Sequence, residues 1–325
     1  MEVHKKPIIV FIVPCFNEEE VLPDTTVRLF QKIYDLISGQ VISEKSGLLF
    51  VDDGSTDNTW NLIEQFHKEN PLISGIKLSG NRGHQHALLC GLLEVKNHVD
   101  AAISIDADLQ DDINVIDNMI EIYNKGVEIV YGVRSNRKTD SIFKRTTAQT
   151  FYHFMRLLGV NVIYNHADFR LIGKNALNAL SEYGEVNIFL RGIIPLLGFK
   201  TSIVYYKRSE RKAGKSKYPL KKMMLFAFEG ITSFSIKPIR LITLLGVLLF
   251  TASIAMIVYF LTRYFSGYTV TGWASIVCSL WGIGGLIIFS IGIIGEYIGK
   301  IYLETKHRPK YHIEQFLFNT EQKHE

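Results

Sequence analysis

A chain of 325 residues exceeds one average domain, and with 47% hydrophobic side chains it crowds its longest apolar runs into the C-terminal third. The 36 Lys and Arg against 32 Asp and Glu leave a net charge of +4, too mild a surplus for a nucleic-acid partner. Cys15, Cys90 and Cys278 are odd in number, scattered and without metal-ligand spacing, which excludes a disulfide framework or zinc site and agrees with a reducing compartment.

Lys5 and Lys6 before the apolar run Ile8–Val13 imitate the start of a signal peptide. The run is too short, Pro14 ends it, and Asn17-Glu18-Glu19-Glu20 stands where a small-residue cleavage site belongs. A buried first strand is the better reading. Leu48–Val51, Ile73–Leu78, Ala101–Ile105 and Val127–Tyr131 follow as strands, and Glu19–Ser38, Asp57–Glu69, His84–Val95 and Ile113–Asn124 carry helical spacing between them. The alternation predicts an α/β fold with a mostly parallel, doubly wound sheet and helices on both faces.

Ligands of such sheets sit beyond the carboxyl ends of the strands. Three polar motifs fall there: Asn17-Glu18, Asp52-Asp53-Gly54-Ser55 and Asp106-Ala107-Asp108. Read as the end of a strand, Asp106 and Asp108 at i and i+2 point the same way. Oxygen-only ligands favour Mg²⁺ or Mn²⁺, and Mg²⁺ takes one or two carboxylates plus substrate phosphates. The plainer reading of a lone Asp-x-Asp is a helix cap or solvated loop; three motif-bearing strand ends on one edge outweigh it. Asn81-Arg82-Gly83 opens a helix whose N-terminus suits phosphate. His84 and His86 sit on that glycine loop without carboxylate partners and read as structural.

From Gly132 to Tyr218 the alternation breaks into longer loops and irregular elements with two basic clusters. The first holds Arg134, Arg137, Lys138, Lys144 and Arg145; the second holds Lys207, Arg208, Arg211, Lys212, Lys215 and Lys217. Pro219–Pro238 then mixes Lys221 and Lys222 with Met223, Met224, Leu225, Phe226 and Phe228, the composition of a helix lying in a membrane interface. Leu241–Leu261 is an uncharged run of about 21 residues, enough to cross roughly 30 Å of hydrocarbon, and Trp273–Ile294 is a second. Lys221, Lys222, Lys237 and Arg240 precede the pair and Lys300, Lys306, Arg308 and Lys310 follow it, whereas the connection offers only Arg263. The positive-inside rule puts both termini in the cytoplasm and the Phe265–Gly272 loop outside. The expected organisation is a catalytic domain over 1–218, interfacial helices over 219–238, a two-helix anchor over 239–300 and a cytoplasmic tail over 301–325. Gly295-x-x-x-Gly299 permits close helix approach and predicts a homo-oligomer.

Taken as a set, the motifs resemble a family, the inverting GT-A glycosyltransferases of the polyprenyl-phosphate type. Carrying the resemblance are Val13-Pro14-Cys15-Phe16-Asn17-Glu18, Val51-Asp52-Asp53-Gly54-Ser55-Thr56-Asp57, Asn81-Arg82-Gly83, Asp106-Ala107-Asp108-Leu109-Gln110, Gly132-Val133-Arg134 and Ala167-Asp168-Phe169-Arg170-Leu171, together with the Arg211–Tyr218 segment and the two apolar runs. Dolichyl-phosphate mannose synthases form one branch. The paired spans look most like another, the prophage-type bactoprenol glucosyltransferases.

The resemblance implies a site for a nucleotide sugar. Asp53 accepts a hydrogen bond from the uracil ring, Pro14 and Phe16 pack on the base, and Asn17 and Glu18 belong to the same loop. An Asx-turn closing Asp-Gly-Ser is the plainer role for Asp53, and the two are compatible. Asp108 and Gln110 ligate Mg²⁺ or Mn²⁺, and Asp106 contacts the ribose or the water shell of the metal. Arg134 and Arg145 match positions for the acceptor phosphate. A polyprenyl phosphate is largely dianionic at cytoplasmic pH and needs relief of repulsion more than a general base, which bidentate arginines supply. Asp168 orients the sugar or serves as a residual base.

The implied activity is transfer of a hexose, glucose from UDP-glucose, to undecaprenyl phosphate with inversion, at the bacterial inner membrane, for O-antigen-type glycan modification by a homo-oligomer, a tetramer by resemblance. GDP-mannose, UDP-galactose and amino-sugar donors stay open. A processive polysaccharide synthase would carry Gln-x-x-Arg-Trp, yet none of Trp60, Trp273 and Trp281 follows an Arg. A non-enzymatic lipid-carrier binder would have no use for the metal motif.

Overall fold

The computed structural model describes residues 6–135, 166–185, 189–207, 237–266 and 272–318. They divide into two compact units, one drawn from Met1–Tyr152, Asn161–Tyr218 and Arg308–Glu325, the other from His153–Val160 and Pro219–His307.

In the first unit, strands β1 (Ile9–Cys15), β2 (Gly47–Asp52), β3 (Ile73–Leu78), β4 (Ala101–Ser104) and β5 (Ile129–Arg134) alternate with helices α1 (Leu22–Ser38), α2 (Thr59–Glu69), α3 (His84–Val95) and α4 (Ile116–Asn124). A 3₁₀ turn at Ile113–Val115 leads into α4. After these come β6 (His166–Gly173), α5 (Lys174–Ser181), α6 (Leu190–Leu196), β7 (Thr201–Tyr206) and β8 (Ile313–Leu317). Strands β2 and β4 are buried throughout and β1 almost so, which is why they read as unbroken apolar runs. Helix α1 turns Leu22, Leu29, Ile33 and Leu36 onto this sheet at helical spacing. A Cβ on Gly91 of α3 would lie 2.5 Å from Ile12 Cγ2, so the missing side chain is what lets α3 sit close against β1.

The sheet order is β7-β5-β6-β4-β1-β2-β3-β8. It is mixed, where a mostly parallel sheet was expected. Strand β6 enters between β4 and β5 and runs antiparallel to both, and β8 runs antiparallel to β3. The stretch expected to break into longer loops and irregular elements supplies, among its described residues, two strands and two helices. The middle of β6 carries Asp168 and Arg170, both buried, and their mutual ion pair replaces the apolar alternation that marks a strand.

Strand β8 falls in what the sequence places in a tail. It closes the free edge of β3: Ser79 N donates to His312 O at 2.9 Å, Lys77 Nζ meets Glu314 Oε1 at 3.1 Å, and Trp60 Nε1 donates to Gln315 Oε1 at 3.0 Å.

The second unit contains helices α7 (Lys237–Phe265, 29 residues) and α8 (Trp273–Thr305, 33 residues). Within α8, Gly282–Thr305 is long and apolar enough to cross a membrane by length and composition, with a mean hydropathy of 1.7. Arg145, the rest of the first basic cluster after Arg134, the second cluster beyond Lys207, and the expected interfacial helix up to residue 236 lie outside the described residues.

Deleting residues 308–325 removes β8 and leaves the β3 edge unpaired, an arrangement that invites association with other chains. The truncated protein is expected to unfold at lower temperature in detergent and to form higher-order species as concentration rises. Scanning fluorimetry with light scattering checks both, and an unchanged melting profile would show that β8 contributes nothing to the sheet.

Candidate active site

Strands β1, β2 and β4 are parallel neighbours, so their carboxyl ends open onto the same edge. The loops beyond β1 and β2 are stitched together. Asn17, held at a positive φ of 54°, accepts a hydrogen bond on Oδ1 from Thr56 N at 2.8 Å, and its own amide donates to Ser55 Oγ at 2.9 Å. Glu18 N donates to Thr59 Oγ1 at 2.9 Å. Pro14 is buried within β1. Phe16 is 44% exposed just past its end, so it is the ring of the two that is presented for stacking.

The two adjacent aspartates after β2 divide their work. Asp52, not Asp53, makes the Asx-type turn, accepting from Ser55 N at 3.2 Å and from the Ser55 hydroxyl. Asp53 reaches instead to the start of α3, where its two oxygens accept from Arg82 N at 2.7 Å and Gly83 N at 2.8 Å. Those two amides are thereby committed to a protein carboxylate and are not offered to phosphate. Each Asp53 oxygen keeps a second lone pair for an outside donor. Gly54, the residue after Asp53, has φ of 69°, and a Cβ there would lie 2.6 Å from the Gly80 carbonyl carbon, so only glycine passes.

Strand β4 stops at Ser104, so Asp106 and Asp108 stand in the turn beyond it rather than on one side of a strand. Leu109 has a positive φ of 42°, and Gln110 N donates to Asp108 Oδ1 at 3.3 Å. The side chains of Asp106 and Asp108 are half-buried and that of Gln110 is buried. Among the described residues no three of His, Cys, Asp and Glu gather into a ready-made cation cage. The oxygens of Asp106, Asp108 and Gln110 are a donor set of the kind that Mg²⁺ or Mn²⁺ takes, one or two carboxylates with substrate phosphates completing the shell.

His84 does have carboxylate partners, against expectation. Its Nε2 lies 3.2 Å from Asp106 Oδ1 and its Nδ1 lies 4.0 Å from Asp168 Oδ2. Burial pulls its pKa down, but the hydrogen bond and charge of Asp106 and the charge of Asp168 outweigh this and raise it. Asp168 itself is gripped by two arginines. Arg170 Nη2 donates to Oδ1, and Arg191 places Nε 3.2 Å from Oδ1 and Nη2 3.0 Å from Oδ2. Burial raises the Asp168 pKa, and Arg191 and Arg170 more than reverse this, holding the carboxyl well below the usual range. A carboxylate so firmly ionised is a poor proton acceptor, which favours orientation over base for Asp168.

Arg134, 28% exposed at the end of β5, makes a side-on contact with buried Asp111: Nε to Oδ1 at 3.2 Å and Nη2 to Oδ1 at 3.0 Å. Tyr206 OH donates to the same oxygen at 2.6 Å. Arg191, Asp111 and Tyr206 were all missed in the sequence, since each is defined by a partner far along the chain.

Three comparisons bear on this geometry. Residues 10–181 match the family described as Glycosyl transferase family 2. The chain is 55% identical to a Bacillus subtilis protein described as uncharacterized glycosyltransferase YkoT, over 97% of this chain and 93% of that one. It is also 39% identical to the bactoprenol glucosyl transferase of Shigella phage SfV, over 92% of this chain and 96% of that one.

Replacing Asp168 by Asn leaves the guanidinium of Arg170 buried without its counter-charge, which costs about 3–5 kcal/mol for a pair of this kind. Because the folded-state pKa of Asp168 is depressed, its stabilisation is present above the unfolded value of about 3.9 and fades as pH falls toward the folded value. The Asp168→Asn variant is therefore expected to melt well below wild type at pH 7, with the gap narrowing below about pH 4. Thermal unfolding in detergent across pH 3–8 measures this, and a gap independent of pH would contradict it.

Proposed function

The chain belongs to glycosyl transferase family 2 and is a glycosyltransferase, and from that premise we propose that it transfers a hexose, glucose from UDP-glucose, to undecaprenyl phosphate with inversion. The observation that carries the acceptor half is Arg134, a half-buried guanidinium at the carboxyl end of β5, which opens on the same edge of the sheet as the carboxyl end of β4. The relatives named bactoprenol glucosyl transferase support the lipid acceptor.

In this reading Phe16 stacks on the base and Asp53, already oriented by Arg82 and Gly83, accepts from the uracil ring. Asn17 and Glu18 brace the loop beneath the base. Asp108 and Gln110 hold Mg²⁺ or Mn²⁺, with Asp106 toward the ribose or the waters of the metal. When bound, that cation neutralises charge on the departing nucleoside diphosphate. Arg134, with Arg145, draws in the lipid phosphate and offsets repulsion between the two anions. A phosphate oxygen then attacks the anomeric carbon as its bond to the diphosphate breaks, and the diphosphate leaves with the electron pair. Asp168, locked by Arg170 and Arg191 and within reach of Gln85 Nε2 at 3.4 Å, orients the sugar.

The same proposal places the catalytic domain at 1–218, interfacial helices at 219–238 and a two-helix anchor at 239–300, with both termini on the cytoplasmic face of a bacterial inner membrane. The motif Gly295-x-x-x-Gly299 permits close helix approach and is the basis for a homo-oligomer, a tetramer in this reading. The product, a polyprenyl-phospho-hexose, serves envelope glycan modification of the O-antigen type.

Membranes containing the protein, incubated with undecaprenyl phosphate and radiolabelled UDP-glucose, UDP-galactose, UDP-N-acetylglucosamine or GDP-mannose in turn, are expected to label lipid from UDP-glucose. Asp108→Asn or EDTA should lower transfer at least about 100-fold, the loss of several kcal/mol of charge stabilisation. Lipid labelled from another donor corrects the sugar; full activity of Asp108→Asn in chelator removes the metal from the mechanism.

Topology is checked separately. In a cysteine-free background, a reporter Tyr268→Cys should react with an impermeant maleimide in intact cells and Lys306→Cys should not. The reverse pattern would invert the orientation.

A further inference from the structure

Asp111 follows directly on the Asp106–Gln110 turn, is 2% exposed, and has no part in donor or metal binding as described above. Its two oxygens are used very unevenly. Oδ1 accepts from Arg134 Nε, Arg134 Nη2 and Tyr206 OH, whereas Oδ2 is buried and has no partner among the described residues. A carboxylate kept only to bridge two strands would share its load, because an unsatisfied buried acceptor is costly. The crowding on Oδ1 has a geometric result instead. Arg134 and Tyr206 are register partners at the ends of parallel β5 and β7, so the sheet sets their spacing, and Tyr206 OH also lies 3.3 Å from Arg134 Nε. One hydroxyl and one carboxylate oxygen together fix the roll of the guanidinium.

A guanidinium has five N–H groups in a rigid plane. The side fork, Nε and one hydrogen of Nη2, is spent on Asp111. The end fork, Nη1 with the second hydrogen of Nη2, takes no partner among the described residues. We propose that Asp111 and Tyr206 are positioning residues for the acceptor: they hold Arg134 by its side fork so that its end fork receives the lipid phosphate bidentately. Because Asp111 is continuous with the metal-ligating turn, it also ties the position of the acceptor phosphate to that of the donor diphosphate. The inference rests on the proposed role of Arg134 toward the acceptor.

A mutant cycle tests it in nanodiscs carrying undecaprenyl phosphate, with the donor that supports transfer. Arg134→Ala and Asp111→Asn should each lower acceptor kcat/KM at least about 10-fold, and Tyr206→Phe about 3-fold, while affinity for the free nucleoside diphosphate, titrated by calorimetry, stays within about 2-fold. Asp111→Asn combined with Arg134→Ala should be no worse than Arg134→Ala alone, because a positioning residue has nothing left to position. Losses that multiply in the double variant, or an Asp111→Asn protein that loses nucleotide affinity, would overturn the inference. If Asp111→Asn fails to accumulate as folded protein, the Tyr206→Phe cycle with Arg134→Ala reads the same coupling without touching the charge. Should Arg134→Ala keep wild-type acceptor kinetics, the acceptor assignment fails and the inference goes with it. Should Arg134→Ala be impaired while Asp111→Asn is not, the inference alone fails.

Discussion

The guanidinium of Arg170, fully buried in the middle of β6, constrains everything packed around it. A buried charge is tolerated only when paired, and among the described residues its ion pair is with Asp168, two positions along the same strand. Asp168 must therefore stay ionised, and it satisfies that demand by recruiting Arg191 from α6 as well. The recruitment spreads outward. Gln85, at the start of α3, sends Nε2 toward Asp168 and accepts on Oε1 from Leu190 N at 3.1 Å, so α3, β6 and α6 are joined through one carboxylate.

Placing β6 between β4 and β5 also decides where the two halves of the site stand. Arg170 lies opposite Ser104 of β4 and Tyr131 of β5, so a whole strand separates the element leading into the metal-type turn from the one bearing Arg134. Asp111 spans that separation from the turn side. The resulting edge has carboxylates toward β4 and a guanidinium toward β5, an order that suits a metal–diphosphate pair on one side and a phosphate monoester on the other.

Local pattern was enough for the elements around β1 to β4. Ile73–Leu78 and His84–Val95 lie where the residue pattern predicts them, because strands buried on both faces and an apolar helix leave continuous runs. What escaped local reading depends on partners remote in the chain. Nothing near Asp111 announces a tyrosine 95 positions away, and nothing near His84 announces Asp106. The division between Asp52 and Asp53 was hidden for another reason: both are aspartates that suit an Asx-turn, and only the approach of Arg82 and Gly83 separates them. Strand β6 hid behind its own ion pair. Strand β7, Thr-Ser-Ile-Val-Tyr-Tyr, carried a β-branched and aromatic signal that the neighbouring basic residues obscured.

The closing strand of the sheet has a bearing on how the protein is made. Lys77 and Glu314, which meet across β3 and β8, are separated by 237 positions, and both long helices are synthesised in the interval. At roughly 5–20 residues per second, a ribosome needs on the order of 10–50 s to cover that distance. For that time the nascent β3 has no partner on its outer side, and once β7 has been made the catalytic unit has seven of its eight described strands. Completion of the sheet is thereby deferred: its outer edge closes only after both long helices have been synthesised. A chain stalled within α8 carries every residue assigned to the site and still lacks its eighth strand.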